Sequence, residues 1–88
     1  MTKTQVVALL AQLTKDQITV DAHTTLFHLA QFGVSDVQLH RGLRSAVLFD
    51  GGGLPNSCIV EFEHDERPML CRFEITANGL RVVGLGWR

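Results

Sequence analysis

The last third of the chain alternates apolar and polar residues over long runs between Ser57 and Arg88. A period of two is typical of β-strands that bury one face. Asn78-Gly79 predicts a type I′ hairpin turn, because that turn needs positive φ at both central residues. A four-residue loop at 65–68 is predicted to form the other connection. The sequence therefore predicts a three-stranded antiparallel meander.

Counting outward from Asn78-Gly79 pairs Ile75 with Val82 and Phe73 with Gly84, which assigns each residue to a face. The face predicted to pack against helices holds Cys58, Val60, Phe62, Cys71, Phe73, Ile75 and Val82. The opposite face is predicted to stay open, with Glu61, Glu63, Arg72, Glu74 and Arg81 beside an apolar group of Ile59, Leu70, Val83, Leu85 and Trp87. Because an apolar patch on a small domain often marks a binding surface, Leu70, Leu85 and Trp87 are predicted to contact a protein partner. Coverage of this group by the first helix or by the glycine-rich loop is the alternative.

Upstream of the sheet, apolar residues recur at helical spacing behind capping residues. The pattern predicts helices over 2–14, 22–32 and 36–48, a short edge strand at 17–20 and a glycine-rich loop at 49–56. We therefore expect a single α+β domain, 1–88, with three helices packed on one face of the C-terminal three-stranded meander.

Composition narrows the class of protein. The chain has 88 residues, 45% hydrophobic and 19% charged, which is ordinary for one globular domain. No apolar run reaches the about 18 residues of a membrane helix, and we expect a cytoplasmic protein. Cys58 and Cys71 are predicted to be free buried thiols. His23 and His28 are five residues apart, so no metal site and no cofactor is expected.

Arginines are concentrated in the second half of the chain, although the net charge is only −1. His40, Arg41 and Arg44 fall on one side of the third helix and are predicted to contact nucleic acid or another anionic partner. A solvated helix face explains the same pattern. Arg72 and Arg81 on the open sheet could hold a phosphate, or they could simply belong to a solvated sheet face.

Three segments, in order, resemble the small RNase toxins of the RelE/ParE superfamily, especially their MqsR-type relatives. They are Ile18-Thr19-Val20, AHTTLFHLAQFGV (22–34) and ERPMLCRFEITANGLRVVGLGWR (66–88). The resemblance implies a toxin-like protein that binds RNA and acts as an endoribonuclease, with an antitoxin as its protein partner. By the same resemblance, Arg72 and Arg81 would stabilise the phosphate and His23 or His64 would transfer protons. A relative that binds without cleaving is the alternative.

A second segment, LAQFGVSDVQLHRGLR (29–44), resembles a helix-turn-helix. That resemblance implies a winged DNA-binding regulator, with Arg41 and Arg44 on the recognition helix and base contacts from Asp36, Gln38 and His40. A third class is a small inhibitor or adaptor that has no chemistry of its own. It would act by protein contact through the apolar group that ends at Trp87.

Overall fold

The computed structural model describes residues 3–23, 25–50 and 56–88, and in it one short strand lies between the first two helices while the other four strands follow the third helix. The helices are α1 (Lys3–Ala11), α2 (Thr25–Phe32) and α3 (Asp36–Ser45), with a 3₁₀ turn at Lys15–Gln17. The strands are β1 (Ile18–Val20), β2 (Val47–Asp50), β3 (Ser57–His64), β4 (Arg67–Thr76) and β5 (Gly79–Trp87). The predicted α+β class with three helices is confirmed.

The sheet has five strands in the order β1-β5-β4-β3-β2, so the predicted meander β3-β4-β5 forms only its centre. β1 lies at one edge, as predicted, and pairs parallel with β5. β2 lies at the other edge and pairs antiparallel with β3, where a helix end and a loop were predicted. The helix ends early because Val47, Leu48 and Phe49 are β-branched or large apolar residues that pair with β3 more readily than they extend α3.

Both hairpin turns have two residues, and both differ from the prediction. Asp65 and Glu66 form the β3–β4 turn with φ of 56° and 63°, the positive pair that a type I′ turn needs. At the other hairpin Thr76 pairs with Gly79, so the turn residues are Ala77 and Asn78. The predicted turn at Asn78-Gly79 and the predicted loop at 65–68 are therefore wrong.

Gly79 is instead required by a close approach of the chain. A Cβ at this position would lie 2.1 Å from the main-chain oxygen of Gln17, just before β1. Only glycine lets β5 begin against the segment that leads into β1. Gln17 and Gly79 are far apart in sequence, so no local pattern shows this contact. The dipeptide Asn78-Gly79 therefore predicted a local turn.

A β-bulge in β5 changes which side its last residues face. Phe73 pairs with Val82, but its neighbour Arg72 pairs with Gly84, so one extra residue is inserted at Val83. Beyond the bulge, Leu85 lies opposite Cys71 and Trp87 lies opposite Met69, on the side covered by helices. The predicted placement of Leu85 and Trp87 on the open face is therefore wrong, because a regular alternation was counted through the bulge. The glycines Gly84 and Gly86, predicted on the helix side, lie on the open side.

One apolar core joins the helices to the inner face of the sheet. Its members are Val6, Leu10, Leu13, Leu29, Val34, Leu39, Leu43, Ala46, Cys58, Val60, Phe62, Met69, Cys71, Phe73, Leu80, Val82 and Leu85. Cys58 and Cys71 are buried and unbonded, which confirms the prediction of two free thiols. Burial raises the pKa of Cys71 to about 12, so this thiol stays protonated and unreactive at neutral pH.

Candidate functional site

The third helix carries the arginines predicted to contact an anionic partner. Its N-terminus is fixed by a capping box, in which the Gln38 N–H donates to Ser35 Oγ at 3.2 Å and the Ser35 N–H donates to Gln38 Oε1 at 2.8 Å. Leu39 and Leu43 are buried against the sheet. Because the side of α3 that carries Leu39 and Leu43 is buried, Arg41 and Arg44 on the other side remain exposed.

Gly42 sets how closely α3 approaches the sheet. A Cβ at this position would lie 2.4 Å from Cδ2 of Phe62, so the helix backbone rests directly on the aromatic ring. The helix-turn-helix resemblance expects an apolar side chain at this buried position. Here the ring of Phe62 fills the space that such a side chain would occupy.

His40 joins α3 to the end of the first helix. Its Nε2–H donates to the main-chain oxygen of Leu13 at 2.7 Å, because a carbonyl oxygen can only accept. The imidazole is half-buried at this contact. His40 therefore positions the two helices, in addition to any contact it makes with a ligand.

A shallow groove of about 450 Å³ runs between α1 and α3. Its lining residues are Ala11, Val37, His40, Arg41, Arg44 and Ser45. The structure thus brings together the whole set predicted to contact nucleic acid. Neither arginine forms an ion pair with a residue in the described part of the chain. Two unpaired guanidinium groups one helical turn apart are suited to bind phosphate oxygens.

The open side of the sheet carries arginines of a different kind. Arg81 Nη2 lies 2.7 Å from Glu74 Oε1, and Arg88 Nη1 lies 2.6 Å from Glu61 Oε1. The hydrogen bond and the charge of Glu74 raise the pKa of Arg81. Arg72 lies on the same face of the sheet and pairs with Gly84 of β5. Arg72 and Arg81 therefore share a face, as predicted. Two of these three arginines already have a carboxylate partner.

The two histidines predicted to transfer protons lie elsewhere. His64, at the end of β3, stacks on Trp87 with ring centroids 6.0 Å apart, on the helix-covered side of the sheet. Cζ of Arg67 lies 4.2 Å from the same indole ring. His23 is exposed in the turn between β1 and α2. The structure brings Arg72 and Arg81 to one face, but it does not place His64 with them.

A second pocket, of about 230 Å³, lies where α3 meets the end of β3. Its lining residues are Gln38, Arg41, Gly42, Ser45, Glu63, His64 and Asp65. Arg41 therefore lines both cavities, and His64 joins it in the second. Sequence reasoning missed this combination, because it requires knowing that α3 lies over β3.

The apolar residues predicted to contact a partner do not form one exposed patch. Leu85 is only 9% exposed, and Trp87 packs edge-on against Phe32 at a centroid distance of 5.6 Å. Leu70 is half-buried on the open side. The side chains exposed instead include Leu26 at 52% and Phe27 at 67%, both on α2.

Within the described residues no cluster of three or more His, Cys, Asp or Glu side chains is arranged to hold a metal ion. No helix in residues 3–23, 25–50 or 56–88 has the length and apolarity needed to cross a bilayer. Comparisons of the chain with protein-family models, with curated proteins and with solved structures gave no match.

Proposed function

We propose that the protein binds RNA through its phosphate backbone, in the groove between α1 and α3. The observation that carries the proposal is the pair Arg41 and Arg44, which lines the groove without an ion-pair partner in the described chain. Charge-assisted hydrogen bonds from guanidinium to phosphate are among the strongest polar contacts that an exposed site can make. The net charge of −1 means that attraction depends on this local patch.

The shape of the site favours a single strand. A concave groove that carries positive charge follows a strand's backbone, whereas a duplex reader must project its helix outward. The resemblance to RNase toxins supports RNA as the ligand. RNA cleavage is not part of the proposed activity, because His64 lies on the other side of the sheet from Arg72 and Arg81.

The proposal is tested by fluorescence anisotropy with a labelled single-stranded RNA of mixed sequence. The double variant Arg41→Ala/Arg44→Ala should bind at least tenfold more weakly than wild type. The matched control is Arg72→Ala, an exposed arginine of the open sheet face, which should bind within twofold of wild type. Equal weakening in both variants, or no binding by wild type, contradicts the proposal.

The salt dependence of the RNA affinity tests the same contacts independently. Each phosphate neutralised on a single strand contributes about −0.7 to the slope of log affinity against log salt concentration. Two arginine contacts therefore predict a slope near −1.4, and Arg44→Ala should bring it to about −0.7. A slope unchanged by Arg44→Ala would show that the phosphates lie elsewhere.

Duplex DNA is a second candidate ligand, and the geometry of α2 and α3 favours it specifically. The helices are joined by a tight turn in which Gly33 has φ of 68°, and Ser35 caps the second helix. This is the arrangement that the helix-turn-helix resemblance implies, with Arg41 and Arg44 on the second helix. A duplex of mixed sequence that binds more tightly than the single-stranded RNA would favour this candidate.

A further inference from the structure

The imidazole of His64 lies between an indole ring and a cavity on the helix-covered side of the sheet. Its side chain points to the same side of β3 as Phe62, the ring on which α3 rests through Gly42. Towards β5 the imidazole stacks on Trp87, with ring centroids 6.0 Å apart and planes inclined by 22°. Because α3 lies over β3 and not over β5, the opposite face of the imidazole is directed to the pocket of about 230 Å³ beside α3.

Contacts of Trp87 hold this ring in place. The indole packs edge-on against Phe32 of α2 at a centroid distance of 5.6 Å, and Cζ of Arg67 lies 4.2 Å from its centroid. The imidazole itself is half-buried. A ring that is already fixed by its neighbours loses little conformational entropy when a planar ligand stacks on it.

The rest of the pocket lining is polar and does not select one base. The side chains of Gln38 and Ser45 can each donate or accept a hydrogen bond, and Arg41 donates. Glu63 precedes His64 along β3, so its carboxylate faces the open side of the sheet and its main chain lines the pocket. Stacking requires no particular hydrogen bond, because every base has a π-face.

We propose that His64 is a stacking platform for one base of the bound RNA, without preference for any of the four bases. The inference rests on the proposed RNA binding, since Arg41 and Ser45 line both the pocket and the groove. A strand whose phosphates lie in the groove can therefore direct one base onto the imidazole. Arg41 would hold the phosphate next to that base.

The test compares two labelled RNA hexamers of equal charge by fluorescence anisotropy, one of mixed base sequence and one abasic at every position. Wild type should bind the base-bearing hexamer at least about fivefold more tightly, the lower end of what one stacked base contributes. His64→Ala should reduce this ratio to less than twofold. It should leave the affinity for the abasic hexamer unchanged, which also shows that the variant is folded.

Two further variants test whether the aromatic ring is responsible. His64→Phe keeps a ring but has no ring nitrogen, so it should retain the preference for the base-bearing hexamer. His23→Ala is the matched control, because His23 is exposed in the turn between β1 and α2 and is not part of the pocket lining. This control should bind both hexamers as wild type does.

The outcomes separate the platform from the groove. Arg44 lines only the groove, so Arg44→Ala should weaken both hexamers by the same factor. Equal affinities of wild type for the two hexamers, with both weakened by Arg44→Ala, would overturn the platform and leave phosphate binding in the groove standing. A preference that persists in His64→Ala, or that is lost in His64→Phe, would also overturn it. Failure of wild type to bind either hexamer would overturn both proposals.

Discussion

The two sides of the sheet carry arginines in opposite electrostatic situations. On the open side, Arg81 is paired with Glu74 at 2.7 Å and Arg88 with Glu61 at 2.6 Å. On the helix-covered side, Arg41 and Arg44 of α3 have no carboxylate partner in the described residues. Both line the larger groove. The comparison shows that arginines on the two surfaces differ in whether a carboxylate is already paired with them.

The difference arises from how each element arranges its neighbours. Directly opposite residues in an antiparallel sheet have close Cβ atoms, so a sheet that alternates Glu and Arg pairs them internally. A phosphate that binds such an arginine must first displace the carboxylate. On α3 the only acidic residue is Asp36 in the first turn, more than one turn away from Arg41. The helix arginines therefore have no acidic neighbour on their own helix, although Glu63 and Asp65 line the second pocket together with Arg41.

The largest effect on stability is expected from a substitution at Gly42, where α3 rests against the Phe62 ring of the sheet. Gly42→Ala inserts a Cβ 2.4 Å from the Phe62 ring. Overpacking of this kind costs about 1–3 kcal/mol, more than the about 1 kcal/mol that alanine gains over glycine in a helix. We expect the free energy of unfolding, measured in urea, to fall by up to about 2 kcal/mol.

Gly86 on the open side is the matched control, because a Cβ there would meet no atom within 4 Å. Gly86→Ala should change the free energy of unfolding by less than about 0.5 kcal/mol. Similar losses in Gly42→Ala and Gly86→Ala would show that α3 does not rest on Phe62 as described. Phe62→Leu combined with Gly42→Ala should recover part of the lost stability.

An effect confined to high pH is expected from Cys71, which faces the helices from the centre of the sheet. Its folded pKa is raised from 9.0 to about 12 by burial, so the unfolded chain loses this proton at lower pH than the folded chain. Stability from this group is complete below pH 9 and is lost as the pH rises from 9 towards 12, by at most about 1.4 kcal/mol per pH unit.

Cys71→Val should therefore show a shallower loss of stability between pH 9 and 11 than wild type, measured by urea denaturation at each pH. The comparison of slopes cancels the lysines and arginines that both proteins share. Equal slopes in the two proteins would mean that the thiol is reached by solvent before unfolding.

The smallest effect should come from the open side. Glu74→Gln releases Arg81 from an ion pair in which both side chains are 48% exposed. Such pairs contribute little to stability, so the denaturation midpoint should not change measurably. The affinity for single-stranded RNA should stay within twofold of wild type, because the groove between α1 and α3 lies on the other side of the sheet. A clear rise in affinity would show that the open face contacts RNA once its charge is released.

Local patterns in the sequence predicted much of the fold. The capping box at Ser35 placed the start of α3 correctly, and the β-branched run at Ile18 placed an edge strand. The alternation in β3 and β4 assigned Cys58 and Cys71 to the buried face. These features depend on interactions within a few residues or on a strict period of two.

Long-range contacts caused the errors. Gly79 is a glycine because Gln17 approaches it, and no residue near the turn reveals that approach. The bulge at Val83 moved Leu85 and Trp87 to the helix side, although the strand pairing is regular before and after it. The edge strand β2 was missed because Val47 and Leu48 continue the apolar pattern of α3, while Phe49 and Asp50 lead into a run of glycines.

The candidate site was predicted in parts. His40, Arg41 and Arg44 were grouped correctly from helical spacing alone, since residues three and four apart are neighbours on a helix. The pocket that joins Arg41 to Glu63 and His64 depends on the tertiary packing of α3 over β3. No local pattern in a single sequence predicts that residues of α3 and β3 lie next to each other.

Because β5 contains an extra residue at Val83, the face on which each of its last residues lies depends on the length of the strand. Deleting Val83 would restore an unbroken alternation, and every later side chain would then rotate to the opposite surface of the sheet. Leu85 and the indole of Trp87 would enter water, while Gly84 and Gly86 would leave voids beneath α2. A single-codon deletion there should therefore be far more harmful than any single substitution at the same position.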